Sequence, residues 1–205
     1  MSEPLRFGDI QQRACIAATH GLGKGLAAAA RAAIAVADTV MAEASAQPHV
    51  AEAVAGAACG KGCGWCCHQV VGITAAEEDL LAEAFAAMPD DARRRLKARQ
   101  TAAEVRLSQL SADKWQTARV PCPLLEDGAC ILHAARPLPC RAVLSADADA
   151  CRRWREGEEE ARIPLVAIQR GVYSHAQAGL AQALGMAGIP AQPVSLVEAL
   201  SLMAD

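Results

Sequence analysis

Apolar residues recur at three- and four-residue intervals along most of the chain, a period that predicts helices with one buried face. Leu26, Ala30, Ala33, Ile34, Ala37, Val40 and Met41 form one such stripe, on a helix running from the break at Gly21–Gly25 to about Ala44. Ahead of it, Asp9 with Gln12 three residues later is a capping-box pattern that starts a first helix. Pro48 ends this region, and a short helix reaches Ala58. Thr74 and Glu77 repeat the capping-box pattern and open a helix whose apolar face is Leu80, Leu81, Ala84, Phe85 and Met88. Pro89-Asp90-Asp91 breaks that helix and caps the next, which carries Leu96, Ala103, Leu107 and Leu110 on one face. The two read as an antiparallel helical hairpin.

Later in the chain, Asp147 to Glu160 reads as a charged helix carrying Cys151, and Pro164 suits the first turn of another helix. Leu165, Ile168, Val172, Ala176, Leu180 and Leu184 give that helix its stripe, Gly185 can cap its end, and a final helix spans Leu196 to Met203. Two stretches escape the helical period. Cys59-Gly-Lys-Gly-Cys63-Gly-Trp-Cys66-Cys67 interleaves glycine with cysteine, and Val120 to Leu144 is Pro-rich, with a tight turn expected at Asp127-Gly128. The expected organisation is a helical segment over 1–54, a cysteine-bearing region over 55–155 and C-terminal helices over 156–205, packed together as one domain.

Composition sharpens this picture. Of the 205 residues 53% are hydrophobic, yet alanine dominates that fraction and there are only three Trp, one Tyr and two Phe, so close helix packing through small side chains is expected and a β-rich fold is not. The formal net charge is −3 with both signs interspersed, which argues against a nucleic-acid partner. The Ala-rich stretch Gly25–Ala37 follows Asp9 and contains Arg31, so it reads as a soluble helix rather than a signal segment, and no uncharged apolar run is long enough to span a membrane. The expectation is a cytoplasmic protein. In a reducing cytosol nine cysteines point to metal binding or redox chemistry, not to disulfides.

Eight of these cysteines fall into two groups, Cys59, Cys63, Cys66 and Cys67, then Cys122, Cys130, Cys140 and Cys151; all eight are candidate metal ligands. Cys15 lies on an Ala-rich helix far from both and is set aside. On a helix the first group would make an apolar stripe, but Gly60, Gly62 and Gly64 disfavour that helix. Thiolates are soft donors that select zinc, Cu(I) or iron–sulfur clusters over magnesium or calcium. Two short knuckles suit tetrahedral zinc. The Cys59-x3-Cys63-x2-Cys66 spacing also suits a [4Fe-4S] cluster and is shared with radical-SAM enzymes, although no alternating strand–helix pattern for their barrel is present. Adjacent Cys66 and Cys67 have diverging side chains, so they are expected to serve different sites, or one is not a ligand. His68 and His133 are alternative ligands, and Lys61, Arg136, Arg141, Arg152 and Arg153 lie near the cysteines in sequence, where they can offset the negative charge of bound thiolates. Gly21-x-Gly23-Lys24-Gly25 lacks both the spacing and the Ser/Thr of a phosphate loop. The fold class expected is mainly α, a helical bundle-like domain whose irregular cysteine-bearing loops form a metal site.

Taken jointly, Cys59 to Cys67, Cys122-Pro-Leu-Leu, Gly128-Ala-Cys130, Arg136-Pro137 and Cys140-Arg141 resemble the CxxCxxCC, or YkgJ-like, family of proposed zinc- or iron-chelating domains, across roughly residues 55 to 151. The chain differs in having three residues between Cys59 and Cys63, and His133 where an aromatic is common. The family is similar to flagellin lysine N-methylases, and that similarity implies an iron–sulfur centre. The function expected is metal binding, through an iron–sulfur cluster or zinc, in support of group transfer or electron transfer. A non-catalytic zinc-stabilised interaction module and a soft-metal storage or transfer protein are the alternatives. No protein partner or substrate is indicated.

Overall fold

The computed structural model describes residues 6–60, 62–158 and 160–203. Helix α1 (Phe7–Leu22), α2 (Leu26–Ala44) and α8 (Ala167–Met186) pack on one another and make the larger core, in which Ile10, Ala14, Ala30, Ala33, Val172, Ala176 and Leu180 are buried. Small residues let the helix axes approach closely. A Cβ on Gly21 would lie 2.6 Å from Ala29 Cα, and one on Gly179 would strike the Gln11 carbonyl oxygen and lie 2.9 Å from Ala14 Cβ. The alanine-rich composition is therefore realised as short interhelical distances.

Helix α4 (Ala75–Ala86) lies against α2, while α5 (Asp90–Ser108) lies against the last helix, α9 (Leu196–Met203). A short antiparallel pair, β1 (Gly72–Ile73) with β4 (Val194–Ser195), delivers α9 to this position. Buried Gln100 donates its side-chain amide to the Val197 carbonyl, which joins α5 to α9. The hairpin expected of α4 and α5 does not form as such: Leu80 of α4 joins the core of α1, α2 and α8, while α9 sets its Leu196, Ala199 and Leu200 beside Leu81 of α4 and Leu96 of α5. Helix α3 (Pro48–Ala55) is shorter than expected and ends at Gly56.

Four further boundaries differ from the sequence reading. Arg6, not Asp9, precedes α1, and no side chain caps that end, so Asp9 sits in the first turn where a negative charge favours the helix dipole. Helix α7 (Ala148–Arg155) stops before Gly157, whose φ of +109° is a left-handed conformation. Pro164 stays outside α8, because residues 144–146 and 164–166 pair as extended chain: Ala146 N–H donates to Pro164 O at 3.0 Å and Val166 N–H to Leu144 O at 2.8 Å. At the other end, Gly188 rather than Gly185 takes the left-handed conformation, and Ile189 N–H closes back on Leu184 O at 3.0 Å.

Candidate metal centre

The first cysteine loop is held at both ends. Ala58 N–H donates to Ser145 O at 2.8 Å where the loop begins, and Cys122 N–H donates to Cys67 O at 2.7 Å within a closing 3-10 turn over Trp65–His68. Gln69 then bridges Arg119, so the two cysteine segments run side by side. Between them, strands β2 (Leu125–Glu126) and β3 (Ala129–Cys130) form a two-residue hairpin through Asp127 and Gly128, both at positive φ, as the expected tight turn requires. Gly64 of the first loop fits against this hairpin: a Cβ there would lie 2.8 Å from Leu125 Cδ1 and 3.1 Å from Gly128 O. Closeness of backbone to backbone, not looseness, explains glycine here.

The hairpin leads to Arg136-Pro137 and to helix α6 (Leu138–Ala142), which packs on α8 and carries Cys140. Cys122, Cys130 and Cys140 are partly buried against the apolar cluster of Ile73, Leu81, Leu96, Leu124 and Leu132. Burial, followed by the charges of Cys122, Cys130 and Cys66, pushes the Cys140 thiol well above its ordinary pKa. The Cys122 thiol is pushed up to about 12 by burial and then by Cys130 and Cys66. Cys66 is raised first by its hydrogen bond with Cys67, then by burial, with Arg136 opposing. Cys122, Cys130 and Cys140 thus share one apolar cluster, and the Cys122 N–H bond to Cys67 O brings the turn that carries Cys66 beside them, an inner group of four.

Cys59, Cys63 and Cys151 form an outer group on the side of α7. Cys59 Sγ accepts from Ser145 N–H at 3.3 Å, and burial raises its pKa with Cys63 and Cys66 adding to the shift. The pKa of Cys151 is also raised, chiefly by burial, while the Ser145 side chain opposes the shift and the nearby thiols Cys59, Cys63 and Cys66 add to it. Helix α7 is clasped onto the first loop by Arg155 stacked over Trp65 at 5.7 Å, and Arg119 lies over Trp154 at 5.1 Å while donating to its carbonyl at 2.6 Å. Cys15, by contrast, is buried in the helical core beside Met186.

The other candidates separate clearly. His68 Nδ1 lies 3.2 Å from Gly64 O and 3.3 Å from Trp65 O, and this ring holds the 3-10 turn together. His133 is exposed, and Arg136 first, then burial, lowers its pKa. Arg152 and Arg153 pair with Asp149, Glu156 and Glu158 on the surface of α7. Arg141 donates to the Arg136 and Ala134 carbonyls, both at 2.8 Å. Two cations oppose the inner thiols: Arg136 pulls down the pKa of both Cys66 and Cys130, Arg99 that of Cys122, and Arg136 Nε is buried without a hydrogen-bond partner among the described residues. Lys61 lies outside the described residues.

Among the described residues, all nine cysteines are free and no three Cys, His, Asp or Glu side chains converge tightly enough to close on one ion. In kind the donors fit a thiophilic metal, since the loops gather soft ligands and supply Arg136 against their charge. Loading entails loss of the thiol protons and closure of the side chains onto the metal. Two residues central to the arrangement escape a reading of sequence alone. Ser145 has no motif to mark it. Glu77 was visible as a cap, but not as a buried residue.

A helical scaffold presenting two thiol-bearing loops to each other defines a cysteine-rich metal-binding domain. Residues 58–161 match the CxxCxxCC family, described as "Putative zinc- or iron-chelating domain", and the chain belongs to that family. No curated protein and no solved structure matches the chain at a significant level. No helix among the described residues is long and apolar enough to cross a membrane.

Proposed function

We propose that this protein carries an iron–sulfur centre, with Cys66, Cys122, Cys130 and Cys140 as inner ligands and Cys59, Cys63, Cys67 and Cys151 available beside them. The observation that carries the reading is the packing of Cys122, Cys130 and Cys140 on one apolar cluster, with the turn that carries Cys66 joined to them by Cys122 N–H on Cys67 O at 2.7 Å. Iron–sulfur clusters are held by such thiolates and tuned by hydrogen bonds to sulfur, of the kind Ser145 N–H makes to Cys59. A bound cluster supplies electron transfer, or group transfer where one iron stays open to substrate. The residues of this chain bind it, shield it with the Leu124 and Leu132 cluster, and balance its charge.

A structural zinc site is the second reading, supported by the short turns that present the thiols, which resemble paired zinc knuckles. In that case the metal orders an interaction surface and no reaction follows. The reducing cytosol is the compartment in which either centre is expected to load. Anaerobic purification with iron, zinc and acid-labile sulfide analysis and a visible spectrum separates the two. Brown protein with iron and sulfide supports the cluster, and colourless protein with stoichiometric zinc supports the module. A folded protein that resists reconstitution with either one overturns both.

A further inference from the structure

The Glu77 side chain is fully buried, with 0% of the residue exposed. Its Oε2 accepts from Thr74 N–H and Thr74 Oγ1, both at 2.9 Å, and from Gln177 Nε2 at 3.4 Å. Its Oε1 accepts from Leu138 N–H at 2.8 Å. A capping box closes a helix in contact with water and requires only one carboxylate oxygen. Burying a carboxyl group is costly unless donors surround it, so the second oxygen needs its own explanation. That oxygen reaches across to the first residue of α6, two residues before Cys140. Gln177, on α8, also donates to Gly72 O at 3.1 Å, so three parts of the scaffold meet at this one carboxyl group.

We propose that Glu77 is a positioning residue of the metal centre: through Oε1 it fixes the Leu138 amide, and with it the place of the Cys140 thiol relative to Cys66, Cys122 and Cys130. The inference rests on the metal-binding reading above. In glutamine at this position one oxygen becomes an N–H donor, which opposes either the Thr74 donors or Leu138 N–H. The turn that presents Cys140 is then released from α4, while Cys59, held by the Ser145 amide, and Cys63, whose N–H donates to Gly60 O within the same loop, are untouched.

The test uses the full chain, freed of metal under reducing conditions, and two readouts. Co²⁺ is titrated in and followed by thiolate-to-cobalt absorption, and the metal-free protein is alkylated in short pulses with each cysteine quantified by mass spectrometry. Glu77→Gln is expected to weaken Co²⁺ binding by about 10- to 100-fold, the usual effect of losing an outer partner of a ligand. It is also expected to accelerate alkylation of Cys140 while leaving Cys59 and Cys63 at wild-type rates. Leu184→Ala, in the helical core, lowers Tm but leaves both readouts in place. If Glu77→Gln lowers Tm and keeps wild-type cobalt affinity and Cys140 reactivity, the residue is only structural and the proposal falls. Wild-type protein that takes up no Co²⁺ overturns the metal reading instead, and the alkylation rates still decide whether Glu77 places Cys140. Should the variant not fold, hydrogen exchange in the wild type decides: Leu138 N–H as protected as the interior of α4 supports the proposal, and exchange at a loop rate overturns it.

Discussion

The Ser145 amide donates a hydrogen bond to Cys59 Sγ at 3.3 Å, across 86 residues of sequence. The same residue is completely buried, accepts from Ala58 N–H through its carbonyl, and exchanges hydrogen bonds with Asp147 through its hydroxyl at 3.0 and 3.1 Å. Ser145 therefore joins the start of the first cysteine loop to the cap of α7, the helix that carries Cys151. Ser145→Ala keeps the amide on Cys59 but strands Asp147 N–H. The expected cost is about 1–3 kcal/mol, measured by urea denaturation. Alkylation of Cys151 should accelerate while that of Cys59 does not; equal acceleration of both would show that the hydroxyl has no separate role.

Two glycines of the same loop should respond in opposite ways to an added methyl group. At Gly64 a Cβ meets Leu125 Cδ1 at 2.8 Å and Gly128 O at 3.1 Å, so Gly64→Ala drives the loop off the hairpin. At Gly60 a Cβ meets nothing within 4 Å and the backbone is not left-handed. Gly64→Ala is expected to lower Tm and weaken metal uptake, at a cost of about 1–3 kcal/mol for forced overpacking. Gly60→Ala should match the wild type in both measurements.

Thermal and metal measurements should depend on pH in opposite senses. Cys122, with a pKa raised by burial from its ordinary 9.0 to about 12, holds its proton more tightly folded than unfolded. Its contribution to the stability of the metal-free protein is complete below pH 9.0 and is lost as the pH rises toward 12. The urea midpoint of metal-free protein is expected to fall across that window, and Cys122→Ala should flatten the fall. Metal loading requires the thiolates, so it releases protons and weakens on acidification. Calorimetry in buffers of different ionisation enthalpy should register that release; uptake without protons would mean the thiols are not the ligands.

The helices were legible wherever burial follows the local period. Helices α2 and α9 begin and end close to where Leu26, Ala44, Leu196 and Met203 place them, and the Thr74–Glu77 capping box is formed. The period failed where partners come from elsewhere in the chain. Nothing in α4 or α5 reveals that α9 will lie against both, and nothing near Pro164 reveals that Leu144 will pair with Val166 and delay α8. The same divide runs through the site. Cysteine announces soft-metal chemistry by its type alone, whereas Glu77 and Ser145 act through burial and a partner about sixty to ninety residues away, which no local pattern contains.

Stripping the metal should loosen one part of the molecule and spare another. Ile10, Ala14, Ala30, Ala33, Val172, Ala176 and Leu180 pack α1, α2 and α8 together with no cysteine of the two loops among them. Burial of apolar area on this scale stabilises by about 25 cal/mol per Å², which makes the bundle independent of the centre. The cysteine loops rest on less: a smaller apolar cluster around Leu124 and Leu132, a two-residue hairpin, a few backbone hydrogen bonds and the Arg155–Trp65 contact. Chelation is therefore expected to leave most of the helical circular dichroism in place while amides of 62–69 and 119–131 lose protection in hydrogen exchange. The bundle then acts as a fixed frame on which Glu77 and Ser145 hold the thiols near one another before any metal arrives. A single cooperative collapse of all helices on chelation would contradict that division and make the metal part of the fold itself.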